Sequence, residues 1–160
     1  MDKWIFGLTF VSALGSGLIA GIFFAFSTFV MAALTRLPAM QGIAAMQSIN
    51  ATILRTLFSF VFMGTAVASI VLGVVSLLRL STPGVWYLLI GSLLYLVGTF
   101  LATILFNVPL NDALAAVAPE SPEGAEVWQR YLSSWVAWNH VRTIASLASL
   151  AAFIVALRHF

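Results

Sequence analysis

The sequence predicts an all-α fold, an integral membrane four-helix bundle with a short interfacial helix between spans one and two. Three observations predict it. Hydrophobic residues make up 62% of the chain and charged residues only 8%, against roughly 25% charged in soluble domains. The apolar residues gather into four blocks, three of them uncharged over the ~20 residues a helix needs to cross a bilayer core. Between the first two blocks lies a connector too apolar for a free loop and too polar to span. The chain is read as a single transmembrane domain over 1–160, with spans near 4–33, 56–78, 85–106 and 137–157.

Met1-Asp2-Lys3 leads into roughly 30 apolar residues, longer than a signal-peptide core of ~7–15, so this stretch is expected to persist as the first helix. Ala13, Gly17, Gly21 and Ala25 recur at four-residue spacing. Such a stripe lets helix backbones approach closely in lipid, and it permits a homo-oligomer. Phe23, Phe24, Phe26 and Phe29 crowd the end of the segment, read as core or lipid contacts ahead of a ligand-stacking box, although a planar aromatic ligand would find them useful. In the connector, Pro38 and Gly42 are expected to break the chain. From Ile43 the apolar positions Ile43, Met46, Ile49 and Ile53 follow helical spacing, with Gln47, Asn50 and Arg55 as polar exceptions. This predicts a short interfacial helix running into the second span.

The second span, Thr56 to Leu78, is uncharged and bracketed by Arg55 and Arg79, as when basic side chains snorkel to both interfaces. Thr65, Ser69, Gly73 and Ser76 give it a small, weakly polar face. After a Ser81-Thr82-Pro83-Gly84 turn, the third span runs from Val85 to Phe106 without a charge. Its Ser92, Tyr95, Thr99 and Thr103 share one face, a polar track that arrives at Asn107. Pro109 is expected to end this helix, because it lacks a donor and disfavours helical geometry at Val108. Ala113 to Arg130, with Glu120, Glu123 and Glu126, reads as a loop with a helical start near Glu123.

The fourth span carries the sharpest constraint. Thr143 to Leu157 spans only about 15 residues, or roughly 22 Å of a ~30 Å core. The count therefore draws Asn139, His140 and Arg142 inside the membrane boundary. Four spans also place both termini at one end and the connectors after spans one and three at the other. Parity gathers Asn50, Arg55, Asn107, Asn111, Asp112, Asn139, His140 and Arg142 at that second end. On helix four, Trp135, Asn139 and Arg142 share a face at i, i+4, i+7, while His140 points roughly 100° away from Asn139. An ionisable group in a span is normally turned inward and paired, with Asp112 the expected partner of Arg142. The rival reading makes the asparagines and Arg142 staples between helix ends, and Trp135 and Trp138 an aromatic belt.

Lys3, Arg79 and Arg158 lie at the terminal end, and Arg36, Arg55, Arg130 and Arg142 at the other. Withdrawing Arg55 and Arg142 as site residues leaves more basic residues with the termini, which places both termini in the cytoplasm of a bacterial inner membrane. Scattered basic residues give no support for nucleic-acid binding. Without cysteine, disulfides and thiolate metal sites are excluded. With only His140 and His159, a multi-histidine iron or copper site is not expected.

Three patches then carry a family likeness: A-G-I-F-F-A-F-S from Ala20 with the following L-T-R-L-P-A-M and A-A-M-Q-S-I-N, then F-N-V-P-L-N-D, then W-V-A-W-N-H-V-R. In these the chain resembles the anthrone-oxygenase-like family of small four-helix integral membrane proteins, a domain of unknown function in most bacterial members. The resemblance implies that fungal relatives oxidise anthrones to anthraquinones. Mapped onto this chain, it implies functional positions at Asn107, Asn111, Asn139 and Arg142, flanked by the tryptophans.

The reading that follows is a membrane-embedded oxidase or monooxygenase acting on a lipophilic anthrone- or phenol-like substrate, with molecular oxygen as co-substrate. His140 takes a proton, Arg142 with Asn139 and Asn107 stabilises an oxyanion, and Trp135 and Trp138 stack on the rings. Asn111 completes the catalytic candidates, and Asn50 and Arg55 join the substrate-binding set. No metal is needed for these roles. The alternatives are a haem-binding protein with His140 as axial ligand and Arg142 near a propionate, a carrier of a lipophilic ligand, or a structural membrane module.

Overall fold

The computed structural model describes residues 2–159, and among these every regular element is helical. Four helices are long and apolar enough to cross a membrane: α1 (Lys3–Leu34), α3 (Leu57–Leu78), α4 (Val85–Ala115) and α5 (Pro122–Leu157). The chain is a multi-pass integral membrane protein. A fifth helix, α2 (Ala39–Ile53), joins α1 to α3. Each long helix packs on its neighbours in chain order and α5 closes back on α1, so the bundle is a ring of antiparallel neighbours.

Two stripes hold the ring together. On α5 the buried positions include Gly124, Trp128, Tyr131, Trp135, Asn139, Arg142, Ser146, Ser149, Phe153 and Ala156, in steps of three and four along one helical face. On α1 the buried face is Ile5, Thr9, Ser12, Ser16, Ile19 and Phe23. The stripe of small residues expected on α1 is only half right: Ala13 is buried but Gly21 is exposed, because steps of four drift about 40° per turn around a helix. Hydroxyls bridge the faces. Ser16 Oγ meets Ser149 Oγ at 3.4 Å, Thr99 Oγ1 meets Ser146 Oγ at 2.8 Å, and Ser149 Oγ donates to the Gly91 carbonyl at 2.8 Å. Large apolar side chains such as Leu57, Phe60 and Ile144 point outward, as a lipid-facing surface requires.

Three expectations about connectors are corrected. α2 begins directly after Pro38 and carries Gly42 inside it, and a turn at Leu54–Thr56 separates it from α3. Gly42 is needed for a close approach rather than a break: a Cβ there would lie 2.8 Å from Trp128 Cζ2. Pro109 does not end α4. The helix widens to π geometry over Thr103–Asn107 and continues to Ala115, so the proline follows a wide turn, where its missing donor and ring are tolerated. The expected loop 113–130 shrinks to a short turn. α5 starts at Pro122, with Ser121 Oγ accepting from Gly124 N at 2.9 Å and proline at the favoured first position.

The early start of α5 has a large consequence. Its 36 residues make a helix of about 54 Å, against a core of ~30 Å. Its first turns therefore extend past the bundle, where they pack on α2. Met31, Ile43, Met46, Leu114, Trp128, Tyr131 and Trp135 form a separate apolar core there. The fold is thus a membrane bundle with a small helical cap over the end opposite the termini.

Candidate functional site

A cavity of 300 Å³ lies where cap meets bundle. Ile22, Phe23 and Phe26 of α1, Thr103 of α4 and Trp135 and Arg142 of α5 form its base; Met46, Gln47, Ile49 and Asn50 of α2 cover it. Asp112 and Ala115 of α4, with Ala51 and Leu54 of α2, are exposed as well as lining. They mark the mouth.

Arg142 is the central group. Its side chain is only 4% exposed. Nη2 donates to Asn139 Oδ1 at 2.7 Å and Nη1 to Thr103 Oγ1 at 3.3 Å. Its guanidinium lies over the Phe23 ring, 4.1 Å from the centroid, and 5.1 Å from that of Trp135. The expected pairing with Asp112 is not made: among the described residues the one ion pair is Arg79 with Asp2, at the far end. Nε of Arg142 and Nε1 of Trp135 are both buried without a hydrogen-bond partner. A buried cation normally finds a counter-charge. Here two residues of the wall hold spare donors instead.

Asn139, fully buried, positions the arginine. Its Nδ2 donates to the Phe23 carbonyl at 2.8 Å and to Ser27 Oγ at 2.7 Å, which leaves Oδ1 turned toward Arg142. Ser27 in turn meets Thr143 Oγ1 at 3.0 Å. Asn107 is also fully buried, and its Nδ2 donates to the Trp135 carbonyl at 3.2 Å. It braces α5 beside the cavity without lining it. Asn111 lines the cavity and accepts from Tyr131 Oη at 2.8 Å, and Asn50 donates to the same hydroxyl at 3.4 Å. Trp128, Tyr131 and Trp135 stack in a column, and Phe26 meets Trp135 edge-on with centroids 5.7 Å apart.

The remaining candidates lie elsewhere. His140 is exposed on the outward side of α5 and does not line the cavity, as its 100° offset from Asn139 foreshadows. A haem ligated by it would sit outside the bundle. Trp138 leaves the cavity too, stacked face to face on Phe106 at 3.6 Å. Arg55 is exposed in the turn before α3. It therefore counts again among the connector cations, which removes the charge difference on which the expected orientation rested.

Sequence reasoning assigned no site role to Ser27, Tyr131 or Gln47, and favoured core or lipid contact for Phe23. Gln47 Nε2 pins α2 by donating to the carbonyls of Leu114 and Val117 at 2.8 and 3.0 Å. Tyr131 was accessible from the sequence, since Trp128, Tyr131 and Trp135 already extend the buried face of Asn139 and Arg142 at helical spacing. The contacts of Ser27 and Gln47 depend on neighbouring helices and carry no local signal.

The family model for anthrone oxygenase matches residues 55–152, more than half of the chain, including Asn107, Asn111, Asn139 and Arg142. The chain belongs to the anthrone oxygenase family. No curated protein and no solved structure matches it. The family match begins after α2, so Phe23, Ser27 and Asn50 enter the site through the fold rather than through the matched segment. Among the described residues, no three His, Asp or Glu side chains gather as a metal centre would require.

Proposed function

We propose that this anthrone-oxygenase-family protein binds a flat, lipophilic aromatic molecule carrying an ionisable oxygen, and promotes its oxidation by molecular oxygen. One observation carries the reading. The cavity is walled by Phe23, Phe26, Phe58 and Trp135, and the single cation on that wall, Arg142, has no carboxylate partner within ion-pair distance among the described residues. An enolate or phenolate oxygen would complete it. Charge-assisted hydrogen bonds from a guanidinium in a dry site favour the anion over the neutral acid, and an anthrone-type enolate is electron-rich enough to react with oxygen directly. The aromatic walls supply face and edge contacts to the rings. Asn139 holds the guanidinium in place, and Asn107 fixes the backbone of α5 from which Trp135 projects.

The experiment is oxygen uptake with anthrone by the purified protein in detergent, alongside its absorption spectrum and metal content. Anthrone-dependent uptake supports the reading. Ligand-induced stabilisation without uptake would make the protein a carrier of such molecules. A Soret band would shift the chemistry to haem.

A further inference from the structure

We propose that Asp112 is the proton acceptor of this site, resting on the reading of the cavity as an enolate-binding pocket. Of the described side chains on the wall, Asp112 is the one carboxylate and Arg142 the one cation, and they are not within 4.0 Å of each other. They are also not equivalent in setting. Arg142 is buried at the base, whereas Asp112 is exposed at the mouth. The histidine that the sequence offered as base, His140, lies on the outside of α5.

This separation suits carbon-acid chemistry. A ligand lying between the two groups presents its carbonyl oxygen to Arg142 and its acidic methylene toward Asp112. The methylene C–H bond breaks, its proton passes to an Asp112 carboxylate oxygen, and the electron pair moves into the ring system, leaving negative charge on the oxygen beside Arg142. No oxidant is consumed in this step. A base at the solvent-facing mouth can hand its proton to bulk water between turnovers, which a base buried beside Arg142 could not do. Had Asp112 paired with Arg142, each would have neutralised the other, leaving neither a free base nor an unpaired cation. Asn111, adjacent to Asp112, is held by Tyr131, so the turn of α4 that carries the carboxylate is fixed to α5.

The test is deuterium uptake from solvent into the acidic methylene of anthrone, followed by mass spectrometry under anaerobic conditions with the full chain in detergent. The wild-type protein is expected to accelerate exchange above the buffer rate. Asp112→Asn is expected to reduce that acceleration about 100-fold, in line with loss of a general base, and Asp112→Glu to restore part of it. Glu126→Gln, an exposed carboxylate away from the cavity, should exchange like wild type. Binding of a hydroxyanthraquinone, read by thermal shift, should survive in Asp112→Asn because Arg142 is intact. Wild-type exchange in Asp112→Asn overturns the assignment while leaving the enolate pocket standing. If the wild-type protein accelerates neither exchange nor oxygen uptake, the pocket reading itself fails and the base falls with it.

Discussion

Replacing Arg142 by methionine separates a site from a staple. In the unliganded protein the guanidinium bears a burial cost of roughly 2.5–3.5 kcal/mol on insertion scales. Two hydrogen bonds to neutral oxygens offset this by about 1.5–3 kcal/mol each, and the Phe23 face adds ~0.5–2 kcal/mol. Methionine fills similar space and removes the burial cost, but it strands Asn139 Oδ1, a loss of about 1–3 kcal/mol. The fold should therefore survive with stability lowered by only a few kcal/mol. Ligand binding should suffer more. Truncating one partner of a buried charge pair costs ~2–5 kcal/mol, or about 30-fold to several thousand-fold in affinity. With a hydroxyanthraquinone at about 100 times the wild-type Kd, the ligand should stabilise the wild-type protein by ~2.7 kcal/mol. At the same concentration the variant should gain less than ~1 kcal/mol. Denaturation in detergent with and without the ligand measures both increments. An unchanged ligand increment in a variant whose unliganded stability has collapsed would show that Arg142 is only a staple.

Three further outcomes are expected. Asn139→Ala removes one hydrogen bond each from the Phe23 carbonyl, Ser27 and Arg142, so it should cost about 3 kcal/mol and abolish ligand stabilisation; a stable variant that still binds would deny Asn139 its positioning role. His140→Ala should leave oxygen uptake unchanged and stability within ~0.5 kcal/mol, as for other surface positions, and a tenfold fall in uptake would contradict its outward placement. Gly42→Val forces a branched side chain into the ring of Trp128 and the Leu34 carbonyl, which would lie 2.8 and 3.2 Å from a Cβ at this position. Overpacking of about 1–3 kcal/mol should loosen α2, seen as faster amide hydrogen exchange across residues 39–53, and unchanged exchange there would refute the docking of cap on column.

Much of the fold was legible because bilayer physics leaves few options. Four apolar blocks fix four spans, and parity alone gathers Asn50, Asn107, Asn111, Asn139 and Arg142 at one end. Of the expected polar track, Ser92, Tyr95, Thr99 and Asn107 are buried and Thr103 half-buried, a shared face that needs the π turns of α4 as well as the spacing. The α5 half of the cap escapes sequence reasoning because residues 113–130 look solvent-like by composition. Their helical content is carried instead by a cap at Ser121, a proline at the first position and a face that continues the stripe of α5. His140 attracts a catalytic role by its chemistry, whereas the helical period turns it away from Asn139. The unpaired state of Arg142 was beyond the sequence, since Asp112 stands in the right segment and only three-dimensional placement separates them.

The wide turns of α1 and α4 decide which of their side chains reach the site. Residues at steps of four on an α-helix rotate about 40° per step, so Tyr95, Thr99, Thr103 and Asn107 would wind by roughly 120° around α4. π geometry over Leu94–Leu101 and Thr103–Asn107 slows that winding. Tyr95, Thr99 and Asn107 thus remain buried and Thr103 reaches Arg142. On α1 the π segment Phe26–Val30 similarly places Phe26 against Trp135 and Ser27 against Asn139. Toward the termini the same helices are α-helical and meet α5 through a small hydroxyl, Ser149 Oγ, which faces Ser16 of α1 and donates to the Gly91 carbonyl of α4. The other half carries widened turns, an arginine with no carboxylate within ion-pair distance among the described residues, and the cavity.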